Sequence, residues 1–340
     1  MTTRALCRII VHDNEQLFVM TETRYSPVFL HGGWRCGSTY VWNRFRASPL
    51  TTCFYEPFAE RLASSSKKRI ARDTASGWDS HHPPMSAPYR NEYVPLLRHF
   101  RRGVIGYREE FALARYFPHD GIAGERTYLR RLLEHGYQRR THPVFGFSRS
   151  LGRAAALKDE FGGYHIVIRR DPRSQWLSCR SYRQNGSASY FELCHLLILA
   201  LAPADSPAGS LASSLRLPRL SSLAGSLQGK LDLMQAELPR WDDELSYQAF
   251  FGVYLLSYAA ALPAANLVLD MERLGRSAPY RNDVRARILR GTGIAVDFGD
   301  CAVPCQDTNV VIGFAAVEAD IEQRLTAFGA TLLSKSSLSD

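Results

Sequence analysis

The stretch Pro27-Val28-Phe29-Leu30-His31-Gly32-Gly33-Trp34-Arg35-Cys36-Gly37-Ser38-Thr39-Tyr40 carries the reading of this chain. Its first residues form a short apolar run that suits a buried β-strand. Gly32 and Gly33 end that run, and the residues from Gly37 to Arg46 suit a helix. A strand, a glycine-rich turn and a helix in this order bring backbone N–H groups close to a ligand. The positive end of the helix favours an anion there. Ser38 and Thr39 add hydroxyl donors, and Arg35 adds a planar fork of donors with a fixed charge.

The spacing Gly32-x-x-x-x-Gly37-Ser38-Thr39 nearly reproduces the phosphate loop of nucleoside-triphosphate enzymes, which places a lysine directly after the last glycine. Here Ser38 holds that place, and the cation stands two residues before Gly37 as Arg35. The loop therefore suits one phosphate group better than a triphosphate with its magnesium. No G-x-G-x-x-G dinucleotide fingerprint occurs here.

Outward from this unit, Thr51–Tyr55 reads as a second strand ending at Glu56-Pro57. Residues 62–95 are polar and rich in Ser, His and Pro, which predicts a surface excursion, and 92–140 reads as mixed helical. A third strand over 144–148 precedes a helix from Ser150 to about Phe161. The clearest strand is Tyr164–Arg169, followed by a helix beginning near Pro172. Residues 203–230 suit a mobile lid or a weak helical pair. Asp242 to Leu262 predicts a buried helix that Pro263 ends, and Asn266–Asp270 a fifth strand. The expected fold is one α/β domain over 1–340. It has a mostly parallel sheet of about five strands, helices on both faces and helical insertions at 62–140 and 186–240.

A second anion signal lies in Ile168-Arg169-Arg170-Asp171-Pro172-Arg173-Ser174-Gln175-Trp176-Leu177-Ser178. The strand delivers Arg170 to the sheet's C-terminal edge, and the helix carries Ser178 about two turns further on. Both side chains can converge on one phosphate.

The 340 residues are 45% hydrophobic, enough for a large core, and 42 basic against 33 acidic residues leave a net charge of +9. That excess fits an anionic partner. The longest basic cluster, Lys67-Lys68-Arg69, reads as a solvated face. Basic residues are scattered and stacking motifs absent, which argues against nucleic acid. Seven scattered cysteines predict reduced thiols and a cytoplasmic setting, and Cys301 and Cys305 lack a partner pair for a metal. The apolar stretch Leu193 to Ala202 is too short to span a bilayer.

Together the two anion segments resemble the sulfotransferase family that uses 3′-phosphoadenylyl sulfate (PAPS). Trp34-Arg35-Cys36-Gly37-Ser38-Thr39-Tyr40 matches the Arg-x-Gly-Ser-Ser/Thr loop of its carbohydrate and bacterial branches. Arg170, Asp171, Pro172 and Ser178 match the family's 3′-phosphate motif. The resemblance covers approximately 27–60, 143–185 and 242–275. It implies that Arg35, Cys36, Gly37, Ser38 and Thr39 hold the 5′-phosphosulfate of PAPS, that Arg170 and Ser178 hold its 3′-phosphate, and that no metal takes part. Glu272 resembles a family position and is expected in a structural ion pair. The third strand ends Phe147-Ser148-Arg149-Ser150, without the histidine base of the cytosolic small-phenol enzymes. Their C-terminal nucleotide-covering segment is also absent.

Transfer of a sulfuryl group needs in-line positioning and charge stabilisation. Arg35 is expected to stabilise the leaving phosphate oxygen, Arg149 to sit over the sulfuryl oxygens, and Glu56 to accept the acceptor's proton. Glu56 could instead only pair with Arg35 or an adjacent arginine. The acceptor would be a hydroxyl or amine of a carbohydrate or small molecule. Two other readings stand beside this one: a P-loop kinase-like phosphotransferase, and a non-catalytic nucleotide- or glycan-binding relative. His81, His82, His99, His142 and His165 are candidates by residue type only, and Lys158 is expected to be exposed.

Overall fold

The computed structural model describes residues 25–74, 85, 87–118, 120–183, 188–223, 225–237, 242–302, 310 and 312–332. Five strands form one sheet: β1 (Val28–His31), β2 (Thr51–Tyr55), β3 (His142–Phe147), β4 (Tyr164–Arg169) and β5 (Leu267–Asp270). Their order is β2-β3-β1-β4-β5, and every pairing is parallel. The helices are α1 (Ser38–Arg46), α2 (Lys67–Ala71), α3 (Ala123–Gln138), α4 (Ala154–Phe161), α5 (Pro172–Arg180), α6 (Tyr190–Leu201), α7 (Pro207–Ser214), α8 (Leu227–Glu237), α9 (Asp243–Ala261), α10 (Met271–Arg276), α11 (Ala278–Thr292) and α12 (Phe314–Ala327).

Side chains alternate across each strand, and both faces are covered. On one face Val28, Leu30, Val144, Ile166, Ile168 and Leu269 pack with Trp42 of α1 and Ile288 of α11. On the other, Phe29, Phe54, Phe145 and Phe147 pack with Leu129 and Leu132 of α3 and Leu157 of α4. Each fully buried phenylalanine contributes roughly 1.5–3 kcal/mol. Gly146 is what lets α1 approach so closely, since a Cβ there would lie 2.6 Å from Trp42. The fold is thus the expected α/β architecture, compatible with a P-loop-like nucleotide-binding sheet.

One expectation about the fold needs correction, and one open choice is settled. The 62–95 segment is not simply a surface excursion: a short 3₁₀ turn (Glu60–Ser64), α2 and a second 3₁₀ turn (Asn91–Leu96) anchor it through buried Leu62, Ile70, Tyr89 and Tyr93. His81 and His82 lie outside the described residues. Of the two readings of 203–230, the helical pair is the one observed: α7 and the start of α8 lie there, and Leu211, Leu220 and Leu227 are buried in the core beside α9.

Helix α9 is long and apolar enough to cross a bilayer by length and composition. Here it forms the centre of a helical layer, with Tyr247, Phe250, Phe251, Tyr254 and Tyr258 all buried. That position explains why it is apolar most of the way round.

Candidate functional site

The chain leaves β1 toward β2 and leaves β4 toward β5, so two neighbouring strands send their connections in opposite directions. The crevice between such strands, outside their carboxyl ends, is where open α/β sheets bind ligands. The two segments singled out in the sequence follow β1 and β4.

The loop after β1 is held by backbone and side-chain contacts. Gly32 N–H donates to the Phe147 carbonyl at 3.1 Å. The Trp34 carbonyl accepts from Gln175 Nε2 at 2.9 Å. The Arg35 carbonyl accepts from Arg170 Nη1, also at 2.9 Å. The turn then reverses into α1 through Gly37, whose φ of 93° lies in the left-handed region and which stands at the helix N-cap. A side chain there would be strained and would meet Met271. Glycine leaves the first turn of α1 uncapped by any side chain.

Arg35 also has a left-handed backbone, with φ at 64°, and so does Glu56 at 49°. For a residue with a Cβ this costs of order 1–3 kcal/mol, and such residues cluster at binding and catalytic sites. Arg35 Nε donates to Ser178 Oγ at 3.2 Å, and its guanidinium lies 4.8 Å over the Tyr182 ring and 5.8 Å from Phe191. Sequence reasoning missed both rings, because the segment entering α6 has no motif of its own.

Arg170 lies at the end of β4, nearly buried, with Nε 3.5 Å from Glu272 Oε1. That contact is the structural ion pair expected of Glu272, whose Oε2 also accepts from the Asp171 backbone N–H at 3.0 Å. Asp171 caps α5 by accepting from Ser174 N–H at 2.8 Å, and Pro172 occupies the first helical turn. Ser178 rides on α5 and meets Arg35 as described. Arg35, Arg170 and Ser178 therefore converge.

Ser38 is buried, while Thr39 is partly exposed and its Oγ1 lies 2.9 Å from the Tyr55 hydroxyl. The Cys36 side chain is fully buried, and burial pushes its thiol up to about 11. It can offer a ligand only its backbone.

Glu56 and Arg149 sit together behind the loop. Glu56 Oε2 accepts from Ser148 N–H (3.1 Å), Ser148 Oγ (2.7 Å) and Arg149 Nη1 (2.9 Å). Glu56 is thus paired with Arg149. No hydrogen bond reaches its Oε1 among the described residues. Arg149 Nη2 donates to Glu60 Oε2 at 3.0 Å and to the Tyr190 hydroxyl at 2.8 Å. Burial opposes the charge on Arg149, but Tyr190, Glu60 and Glu56 outweigh it and hold its pKa well above the ordinary value. Burial likewise opposes the charge on Glu60, yet Arg149 and the Tyr190 hydroxyl hold its carboxyl below the usual range. The Nε of Arg149 is buried and lacks a hydrogen-bond partner among the described residues.

Trp34 ties these parts together. The Arg149 guanidinium lies 5.1 Å over its ring, and His195 of α6 packs edge-on against it at 5.3 Å. Among the described residues, Trp34 Nε1, His195 Nδ1, Gln175 Oε1 and Arg149 Nε are buried without a hydrogen-bond partner. Buried polar atoms of this kind are few in folded proteins, and Arg149 and His195 pack directly against the Trp34 indole. Burial lowers the His195 pKa to about 3, so its ring is neutral near pH 7.

The remaining candidates lie elsewhere. His165 is buried in a histidine pair, His142 Nδ1 lies 3.0 Å from the Ser26 carbonyl, and His99 is exposed. Lys158 is not exposed as expected: it is partly buried and donates to the Ala264 carbonyl at 2.8 Å. Cys36, Cys53, Cys179, Cys194 and Cys301 are free thiols. Among the described residues no cluster of His, Cys, Asp and Glu could hold a metal.

A scan of the sequence against protein-family models gives no match, and a search of the curated proteins finds no relative.

Proposed function

We propose that the chain is a PAPS-dependent sulfotransferase that moves a sulfuryl group onto a hydroxyl or amine of a carbohydrate or small-molecule acceptor. The observation that carries this reading is the contact of Arg35 with Ser178 and of Arg170 with the Arg35 carbonyl. It joins the loop after β1 to the segment after β4, so that one adenine nucleotide with phosphates at both ends of its ribose can engage both.

In this reading the N–H groups opening α1, with Ser38, Thr39 and Arg35, hold the 5′-phosphosulfate. Arg170 and Ser178 hold the 3′-phosphate. Arg35 balances charge on the phosphate oxygen that leaves as the sulfur–oxygen bond breaks. Glu56 Oε1 takes the acceptor's proton, while Oε2 stays anchored by Ser148 and Arg149. Arg149, held by Glu56 and Glu60 through its two Nη groups, supplies positive charge beside the transferred group. The absence of lysine after Gly37 weighs against triphosphate chemistry.

Incubation with radiolabelled PAPS and a mixed panel of sugars, phenols and amines tests the reading. Label transferred to an acceptor, and lost in Arg35→Gln, supports it. Binding of adenosine 3′,5′-bisphosphate with no transfer to any acceptor favours a non-catalytic binder.

A further inference from the structure

The segment Arg98-His99-Phe100-Arg101-Arg102-Gly103 forms a narrow loop whose two ends meet. Leu97 and Val104 make an antiparallel bridge, Arg98 N–H donates to the Gly103 carbonyl at 3.0 Å, and Ile105 N–H donates to the Leu96 carbonyl at 2.9 Å. The base is pinned to the segment that leads into α2: Gly103 N–H donates to the Ser65 carbonyl at 2.8 Å, and Val104 N–H to the Leu62 carbonyl at 3.0 Å. The Arg98 side chain turns back to this base and donates to the Tyr107 carbonyl at 3.2 Å. Gly103 and Val104 are buried, whereas His99, Phe100, Arg101 and Arg102 are exposed. A fixed base thus carries a bare tip.

Phe100 is 103% exposed, against 38–50% for Leu50, Leu223, Leu233 and Leu289, the other exposed large apolar residues. A phenylalanine ring held wholly in water forgoes the burial that normally stabilises it. Its surroundings are cationic. Over 60–74 and 97–104 eight basic residues stand against two acidic ones, and both acids are already in ion pairs, Glu60 with Arg149 and Asp73 with Arg90. Lys67 and Lys68, which open α2 just after Ser65, are exposed like Arg101 and Arg102.

A bilayer containing acidic phospholipids answers both features, because it sets an apolar phase directly beneath a layer of negative charge. A soluble polyanion would satisfy the charges but offer the ring no apolar phase. We propose that this loop docks the protein on an anionic membrane surface, with the Phe100 ring entering the boundary between headgroups and acyl chains and Arg101, Arg102, Lys67 and Lys68 meeting the lipid headgroups. Such docking is peripheral and reversible, and it does not rest on the sulfuryl-transfer reading.

Sedimentation with lipid vesicles tests this, using phosphatidylcholine alone and an equal mixture of phosphatidylcholine and phosphatidylserine. At low salt the mixed vesicles should carry the protein down and the neutral ones should not. At physiological salt, where charges are screened beyond about 8 Å, binding should weaken. Phe100→Ala is expected to weaken binding about 10-fold, and Arg101→Gln/Arg102→Gln about 10- to 30-fold. These side chains are exposed, so both variants should keep the wild-type circular dichroism spectrum. Phe100→Trp keeps an aromatic ring suited to the interface and should bind like wild type. Failure of the wild type to bind mixed vesicles at low salt overturns the docking. So does equal binding by Phe100→Ala, or binding by Phe100→Trp no better than by Phe100→Ala, since the ring would then play no part. Capture on heparin that Arg101→Gln/Arg102→Gln weakens, without vesicle binding, assigns the basic tip to a soluble polyanion and overturns the membrane surface.

Discussion

Arg35 Nε and Ser178 Oγ lie 3.2 Å apart although 143 residues separate them in the chain. The sheet order makes this contact, because β1 and β4 are neighbours. If both residues grip one nucleotide, Ser178→Ala removes a single neutral donor and weakens adenosine 3′,5′-bisphosphate about 5- to 10-fold. Arg170→Met removes charged hydrogen bonds and weakens it roughly 10- to 150-fold. Titration calorimetry reads both, with circular dichroism confirming that each variant folds. Full affinity in both variants would separate the two cradles.

Glu56 offers a sharper chemical test. Glu56→Gln keeps a hydrogen-bond acceptor for Ser148 and Arg149 but removes the negative charge. Turnover should fall roughly 10²- to 10⁴-fold while nucleotide affinity stays within about twofold. Unchanged turnover would leave Glu56 as a partner of Arg149 only.

Much of this site could be read in the sequence, and the reasons are local. A glycine-rich turn before a helix, and a proline opening one, are written in adjacent residues, so the loop at Gly37 and the helix start at Pro172 were both legible. The strands were legible because each is a short apolar run between turn residues. Long-range partners were not. Nothing beside Arg149 in the chain announces Glu60 or Tyr190, which arrive from the turn after β2 and from α6. The composition of 203–230 leaves a lid and a helical pair equally open, since the stability of its helices comes from packing and hardly from propensity. Residues 62–95 looked polar because their few buried anchors, Leu62, Ile70, Tyr89 and Tyr93, are diluted by charged surface positions.

The loop after β3 depends on a buried ion pair. Arg153 Nη1 donates to Glu125 Oε1 at 2.8 Å with both side chains fully buried, and Arg153 Nη2 donates to the Arg149 carbonyl at 3.0 Å. Burial pulls the Arg153 pKa down to about 10, which still leaves it charged near neutral pH. Arg153→Met removes one of the two arginines on buried Glu125, leaving Arg115 Nε at 3.1 Å, and should cost about 1–3 kcal/mol in urea unfolding. The double variant Arg153→Met/Glu125→Leu should recover part of that loss. A cost below about 1 kcal/mol for the single variant would contradict the role assigned to the pair.

Stability should also fall in mild acid. His165 Nε2 lies 2.8 Å from the Gly162 carbonyl, which can only accept, so this nitrogen carries the proton. His165 Nδ1 then accepts from His31 Nε2 at 2.9 Å, and His31 Nδ1 accepts from the Ser150 hydroxyl at 2.7 Å. Burial lowers His165 to about 4; burial, with His165 adding to it, lowers His31 as well. Below about pH 6.5 the unfolded chain binds protons that the folded chain refuses, so stability drops from pH 6.5 toward 4. His165 alone accounts for roughly 3 kcal/mol over that window. His165→Asn should flatten the pH profile of unfolding; an unchanged slope would remove the pair as its cause.

The central claim is that the loop at Arg35 and the helix bearing Ser178 close on one nucleotide with phosphates at its 3′ and 5′ positions. Thermal unfolding with adenosine 3′,5′-bisphosphate, set beside ATP with magnesium, tests it most directly. At about 100 times its dissociation constant, a ligand confined to the folded state adds about 2.7 kcal/mol, which raises the melting temperature by several degrees. The account predicts that rise with the bisphosphate, little with ATP and magnesium, and a clearly smaller rise with the bisphosphate in Arg170→Met. A rise with ATP and magnesium alone would contradict it.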